Sequence, residues 1–208
     1  MFLYNFINQL GGDPFFLPTA QDNLKSLELI LHQSQGYDLV VSTGGASVGD
    51  YDLVQTALKN QNFKLLFWKI AMRPGKPVFF GALKNIPFLG LPGNPVSVHL
   101  LYGMLIKPLI EYICSGKLNL PKSTKVKVNF SMKKKNKRLE WLRVMVQKNK
   151  DELIVNKFPK QGSGMISSIA YSDGIIEIPE KVSFISKGEY YSFYSYDCLL
   201  YTSPSPRD

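Results

Sequence analysis

The sequence predicts an α/β protein in two parts: a three-layer, doubly wound, mostly parallel sheet, followed by a small β barrel. In the first half, segments of helical period alternate with strand-like segments, the pattern of helices covering a sheet. Near Ser115-Gly116-Lys117 the character changes, and from Thr124 onward short alternating runs are separated by turn residues. The 208 residues, 45% hydrophobic and 20% charged, suffice for one moderate domain and a smaller second one with a packed core. The expected domains are 1–115 and 122–196, with a separate tail at 198–208.

Each element has a local reason. Phe2, Leu3, Phe6, Ile7 and Leu10 recur at helical spacing, and Gly11-Gly12 supplies the stop. Asp22 can cap a second helix whose apolar stripe is Leu24, Leu27, Ile30 and Leu31, ended by Gly36. Asp38 to Ser42 reads as a buried strand, because its apolar residues run on without alternation. The Gly-rich loop Thr43 to Gly49 leads into a helix from about Asp52 to Lys59, and a strand is expected around Lys64 to Trp68. After the loop Met72 to Pro77, Val78-Phe79-Phe80 and Pro87 to Leu91 look like hairpin-linked strands turned at Lys84-Asn85. Pro92-Gly93-Asn94-Pro95 opens a long helix carrying Val96, Leu100, Leu101, Leu105 and Ile106. Proline suits a first helical position, where its missing N–H would have had no partner. The barrel strands are read from the alternation of Val126, Val128 and Phe130, of Trp141, Arg143, Val144 and Val146, and of Leu153, Val155 and Phe158.

Composition excludes several functions. Cys114 and Cys198 have no motif spacing, which argues against a disulfide framework or a Cys-rich metal site. His32 and His99 are too few and too far apart for a zinc cluster. No apolar run reaches the length of a membrane helix without Pro, Gly or charge, and no signal peptide is evident, so the cytoplasm is the expected location. The net charge of +9 suits either a polyanion partner or a lysine-rich solvated surface. Its densest run, Lys133 to Arg138, has no interleaved aromatics and reads as an exposed hairpin connection rather than a nucleic-acid site. Cys198 to Asp208 has no apolar period; it reads as a disordered, non-native tail of the kind produced when a gene is read through into linker DNA.

Four segments carry candidate chemistry, at the strand ends where open α/β sheets bind ligands. Ser42-Thr43-Gly44-Gly45 exposes backbone N–H groups, and the hydroxyls of Ser42, Thr43 and Ser47 suit phosphate oxygens. A tight turn is the plainer reading of the glycine pair. Asp50 and Asp52 at a helix start are either dipole-favoured caps or oxygen ligands for a divalent cation such as Mg²⁺. Lys69, Arg73 and Lys76 flank Pro74-Gly75, which is either a solvated surface loop or a bend that converges their charges on an oxyanion such as phosphate or molybdate. Pro92-Gly93-Asn94-Pro95 makes a rigid loop ahead of a helix N-terminus, where anions are stabilised.

Taken in order and spacing, Ser42 to Asp52, Met72 to Pro77 and Leu91 to Ser97 resemble the molybdopterin molybdenumtransferases, the MoeA and gephyrin E-domain family. Arg138 to Val144, Gln161 to Gly164 and Ser172 to Gly174 resemble that family's C-terminal barrel. The resemblance implies molybdenum cofactor biosynthesis by a cytoplasmic transferase that binds adenylylated molybdopterin and molybdate, uses Mg²⁺ and releases AMP. It implies a homodimer with its active site at the subunit boundary, and neither nucleic acid nor membrane as partner. The alternative is a non-catalytic molybdopterin-binding or scaffolding module of the same fold. Carried over by position, Asp50, Asp52, Lys69 and Arg73 would be catalytic, with Asp50 and Asp52 also holding the metal. Asp22, Ser42, Thr43, Gly44, Gly45, Ser47, Lys76, Pro92, Gly93, Asn94 and Pro95 would bind the pterin nucleotide and oxyanion. The family's α/β domain begins with a strand and a Ser-Thr-Gly-Asp-Glu-Leu-like loop, and two further domains precede it. These are absent here, so the chain is expected to be a C-terminal fragment whose sheet lacks its first strand, leaving unpaired backbone and exposed apolar surface.

Overall fold

The computed structural model describes residues 2–45, 50–149, 152–162 and 164–200, with residues 50–52, 148 and 149 as backbone only. The elements run α1 (Phe2–Gln9), α2 (Leu24–Gln33), β1 (Val40–Thr43), α3 (Asp50–Asn60), β2 (Phe63–Trp68), β3 (Met72–Arg73), β4 (Phe79–Leu83), β5 (Ile86–Leu91) and α4 (Pro95–Leu101). A π-helical turn (Tyr102–Ile106) joins α4 to α5 (Lys107–Ser115). Then follow β6 (Thr124–Val128), β7 (Met132–Lys133), β8 (Leu139–Asn149), β9 (Glu152–Lys157), α6 (Ser167–Ala170), β10 (Gly174–Ile178), β11 (Phe184–Ile185), β12 (Tyr190–Ser195) and α7 (Tyr196–Leu200).

The α/β sheet has the order β1-β5-β4-β2. Here the expectation of a mostly parallel sheet needs correcting: β1–β5 is parallel, but β5–β4 and β4–β2 are antiparallel. The cause is the two-residue turn at Lys84-Asn85, both at positive φ, which returns the chain beside itself instead of sending it through a crossover helix. α2 is capped by Asn23, whose side chain accepts from Ser26 N–H at 2.8 Å, and not by Asp22. The second sheet closes on itself as a barrel, β10-β12-β6-β9-β8, through an additional β8–β10 pairing.

The two parts share a core. Along β8, Leu142 and Val144 face the barrel interior with Val126, Val155 and Ile176. Trp141, of opposite parity, packs with Met72, Leu89, Val96, Leu101 and Ile106 of the α/β part. β3 adds to the barrel sheet beside β8, pairing Met72 with Leu139 and Arg73 with Glu140 in parallel. Pro95–Ser115 forms a continuous helical run of 21 residues, long and apolar enough by length and composition to cross a membrane, with Gly103, Lys107 and Pro108 interrupting its apolar sequence. Over half of it is buried in the protein, with Leu100, Leu101 and Ile106 fully enclosed. The π turn sits where Pro108 follows: Lys107 N–H donates to Tyr102 O, five residues back, and the proline that comes next has no N–H to give.

The tail expectation is also corrected at its start. Cys198 to Leu200 are helical, and Leu199 and Leu200 are buried, with Leu199 against Gly103, so these residues belong to the fold. Residues 201–208 lie outside the described residues.

Candidate functional site

Two predicted loops meet first. Gly44, at φ +86° where only glycine is comfortable, donates its N–H to Leu91 O at 3.1 Å. A Cβ on Gly93 would stand 3.6 Å from the Gly44 Cα, so the Gly-Gly loop and the Pro-Gly-Asn-Pro loop pass within side-chain distance of each other. Asn94 caps α4, its Oδ1 accepting from Ser97 N–H at 3.3 Å, and Pro95 takes the first helical turn. Parallel pairing of Ser42 with Gly90 and of Thr43 with Leu91 brings the ends of β1 and β5 together, which is why two loops so distant in sequence share one rim.

On one side of this rim lies a groove of about 1040 Å³, lined by Asp22, Ser42, Thr43, Gly44, Gly45 and Pro95 together with apolar residues of α1 and α2. The Ser42 Oγ is buried with no hydrogen-bond partner, a hydroxyl left for a ligand or water to satisfy. Ser47 lies outside the described residues, and Asp50 and Asp52 are placed only as the first and third residues of α3. Among the described residues no group of three or more His, Cys, Asp or Glu could hold a metal ion.

On the other side lies a cavity of about 320 Å³ between the α/β part and the barrel. Arg73 and Lys76 enter it from the Pro74-Gly75 bend, Pro92, Gly93, Asn94 and Ser97 from the β5–α4 loop, and Arg138, Glu140, Trp141, Arg143 and Gln161 from the barrel. Among the described lining residues, four cationic side chains face one carboxylate, a formal excess of three positive charges. Lys69 does not join them. Its backbone is left-handed at φ +64° and its Nζ stands 3.5 Å from the Trp68 ring centroid, a cation–π contact that holds it elsewhere. The expected convergence of three cations is therefore met by Arg73 and Lys76 alone, and the barrel supplies the rest.

Arg143 is the residue that the sequence reading did not select. It is 1% exposed, its Nη2 donates to Gly162 O at 3.2 Å, and its Nε has no partner. Burial pushes its guanidinium below the ordinary value, opposed by Tyr196, reinforced by the Arg73 charge and opposed again by Glu140. Arginine starts so high that it stays charged. Gln161 fixes its backbone: Oε1 accepts from Arg143 N–H at 3.1 Å while Nε2 donates to Arg143 O at 2.8 Å and Phe158 O at 2.9 Å. Arg73 Nη1 is held 3.2 Å from Glu140 Oε1. A signal for Arg143 was present in the sequence: a charge inside Trp141-Leu142-Arg143-Val144, a run otherwise fit for a core strand.

Fold and site together define a class of protein: an α/β unit and a barrel joined around a cationic cavity, beside a groove with a glycine-rich rim. Residues 1–112 match the family model described as "probable molybdopterin binding domain", and residues 125–195 match the MoeA C-terminal region, domain IV. The chain belongs to the MoeA family. It is 36% identical over 203 residues to a molybdopterin molybdenumtransferase of Haemophilus influenzae, covering 93% of this chain and 48% of that protein. A molybdopterin molybdenumtransferase of Staphylococcus epidermidis is 29% identical over 82% of this chain and 41% of its own length. The crystal structure of the molybdopterin biosynthesis MoeA protein from Pyrococcus horikosii superimposes with a TM-score of 0.74 at 28% identity, over 93% of this chain and 46% of that one. The chain thus spans about half the length of the relatives it matches.

Proposed function

We propose that this chain serves molybdenum cofactor biosynthesis as part of a molybdopterin molybdenumtransferase, inserting molybdate into adenylylated molybdopterin with release of AMP. The observation that carries the reading is Arg143: a fully buried guanidinium with an unpartnered Nε, set in a cavity it shares with Arg73, Lys76 and Arg138. A buried charge with an unmet donor is costly unless an anion completes it. The cavity is of the scale of a small tetrahedral oxyanion with its waters, and molybdate is the substrate assigned to it. The names of the relatives support a transferase over the non-catalytic module.

In this reading the groove takes the pterin nucleotide. Gly44, Gly45 and the free Ser42 hydroxyl meet its phosphate or ring, and Asp22 lines the far wall. Asp50 and Asp52 carry hard oxygen donors at the start of α3, chemistry that fits Mg²⁺, and they would hold it. The bound cation would supply charge neutralisation at the phosphates. The protein's own part is positioning and electrostatics: Arg143 and Arg73 line the cavity with positive charge, Lys76 adds an exposed charge, and the close approach of Gly44 and Gly93 sets groove and cavity side by side. We assign this chain two domains, 1–115 and 122–200, and the working protein a homodimeric state and a cytoplasmic location.

The test is calorimetric titration of molybdate into the chain and into Arg143→Met, which keeps an unbranched stem and removes the guanidinium and its charge. Affinity should fall at least about tenfold, the loss of one charge-assisted hydrogen bond of roughly 1.5–3 kcal/mol. Equal affinity in a folded Arg143→Met chain would remove the cavity from the function. Sedimentation equilibrium tests the dimer.

A further inference from the structure

One lining residue runs against the character of the cavity. Glu140 is 6% exposed and is the carboxylate among four cations. Its Oε1 lies 3.2 Å from Arg73 Nη1, and its Oε2 accepts from Asn136 Nδ2 at 3.2 Å. Its side chain is 8% exposed while that of Arg73 is 46% exposed, so the carboxylate is the more deeply enclosed partner of the pair. A carboxylate so placed acts through a low-dielectric medium and subtracts from the attraction any anion feels in the cavity. An anchor for Arg73 alone would need only an acceptor, which a neutral amide oxygen also provides.

We propose that Glu140 sets the charge of the oxyanion cavity, lowering its affinity for dianions so that the bound oxyanion remains exchangeable, and determining how strongly the cavity prefers dianions to monoanions of the same shape. The proposal rests on the oxyanion reading above and adds to it a residue that acts by weakening. Because a fixed charge interacts with a ligand in proportion to the ligand's charge, removing it changes the binding free energy of a dianion twice as much as that of a monoanion. Two tetrahedral oxyanions of similar size isolate this effect: molybdate with two negative charges, and perrhenate with one.

The experiment is titration of both anions into the 208-residue chain and into Glu140→Gln and Glu140→Ala, with a melting curve for each. In Glu140→Gln the amide oxygen can still accept from Arg73 while the charge is gone and the bond from Asn136 is given up. Perrhenate should bind about tenfold more tightly and molybdate about a hundredfold, the molybdate factor being roughly the square of the other. The molybdate dissociation rate should fall in step, and Glu140→Ala should keep the unequal response even where losing the Arg73 anchor reduces both affinities. Weaker binding of both anions in Glu140→Gln, or equal factors for the two, would make Glu140 an anchor for Arg73 and overturn the proposal. Failure of both variants to melt cooperatively would make it a structural residue, with the same consequence. If the unmodified chain binds neither anion, the oxyanion reading itself fails. Binding without the unequal response overturns only the charge-setting role.

Discussion

At the scale of single residues, the side chains of greatest consequence are those whose partners come from another part of the chain. Gln161 acts as a second backbone for Arg143, giving and taking the hydrogen bonds that a neighbouring strand would supply. Gln161→Leu fills similar volume but removes both, leaving the Arg143 N–H and C=O without those partners. The expected outcome is a loss of about 1–3 kcal/mol of stability and a weakened molybdate titration, checked by denaturant melts and calorimetry. His99 offers a pH test. Burial lowers its pKa from 6.5, against the Nδ1 contact with Pro95 O at 2.8 Å, which raises it. A depressed folded value means the unfolded chain binds the proton first, so stability is fully present above pH 6.5 and is lost as pH falls through the lowered folded value. Melting temperature should therefore drop as the pH falls below 6.5 in the native chain, and His99→Gln should flatten that slope. The carboxylates with lowered pKa values, Glu152 and Glu189, act only below 4.5 and leave this window clear.

At the scale of elements, turn chemistry decided what periodicity could not. The hairpin at Lys84-Asn85 holds both residues at positive φ, 48° and 77°, a turn that Asn-Gly fills better than Lys-Asn. The double change Lys84→Asn and Asn85→Gly should raise stability by about 0.5–1 kcal/mol, read as a higher denaturant midpoint at unchanged slope. This hairpin was legible in the sequence, as were α1, α2, β5 and the barrel alternation, because each follows from local period and punctuation. The direction of β4 against β2 was not, since strand pairing depends on which surface is left to cover. The same division runs through the site. Arg73, Lys76 and Pro92 to Asn94 were legible because Pro and Gly mark functional loops. Lys69 was misplaced because a left-handed backbone and a ring contact are tertiary outcomes. Glu140, Arg143 and Gln161 enter the cavity from the barrel, at least 64 residues beyond Lys76. No local spacing announces such an approach; only the charge within an apolar strand hints at it.

At the scale of the whole molecule, the cavity exists because the barrel and the α/β sheet are welded. β3 belongs by sequence to the α/β part yet hydrogen-bonds to β8, with Leu139 N–H donating to Ala71 O at 3.0 Å. Trp141 and Ile175 from the barrel sit in the same core cluster as Leu91, Val96 and Leu100. Apolar contact of this kind is the dominant coupling between two units, and separating them would expose it to water. The chain should therefore melt in a single transition, with calorimetric and van't Hoff enthalpies equal, although its described strands fall into three sheets. Trp141 is the place to test the weld: it is 4% exposed, and its indole N–H donates to Glu177 Oε2 at 3.1 Å. Trp141→Ala should cost about 3–5 kcal/mol, the range for truncating a large buried aromatic. More tellingly, it should split the melt into two transitions, because it removes contact across the junction while leaving Leu142 and Val144 to hold the barrel. Molybdate binding should fall with the first of them, since Arg73 and Arg143 approach the cavity from opposite sides of that junction. A Trp141→Ala chain that loses stability yet still melts in one step would mean that the β3–β8 pairing alone couples the two parts.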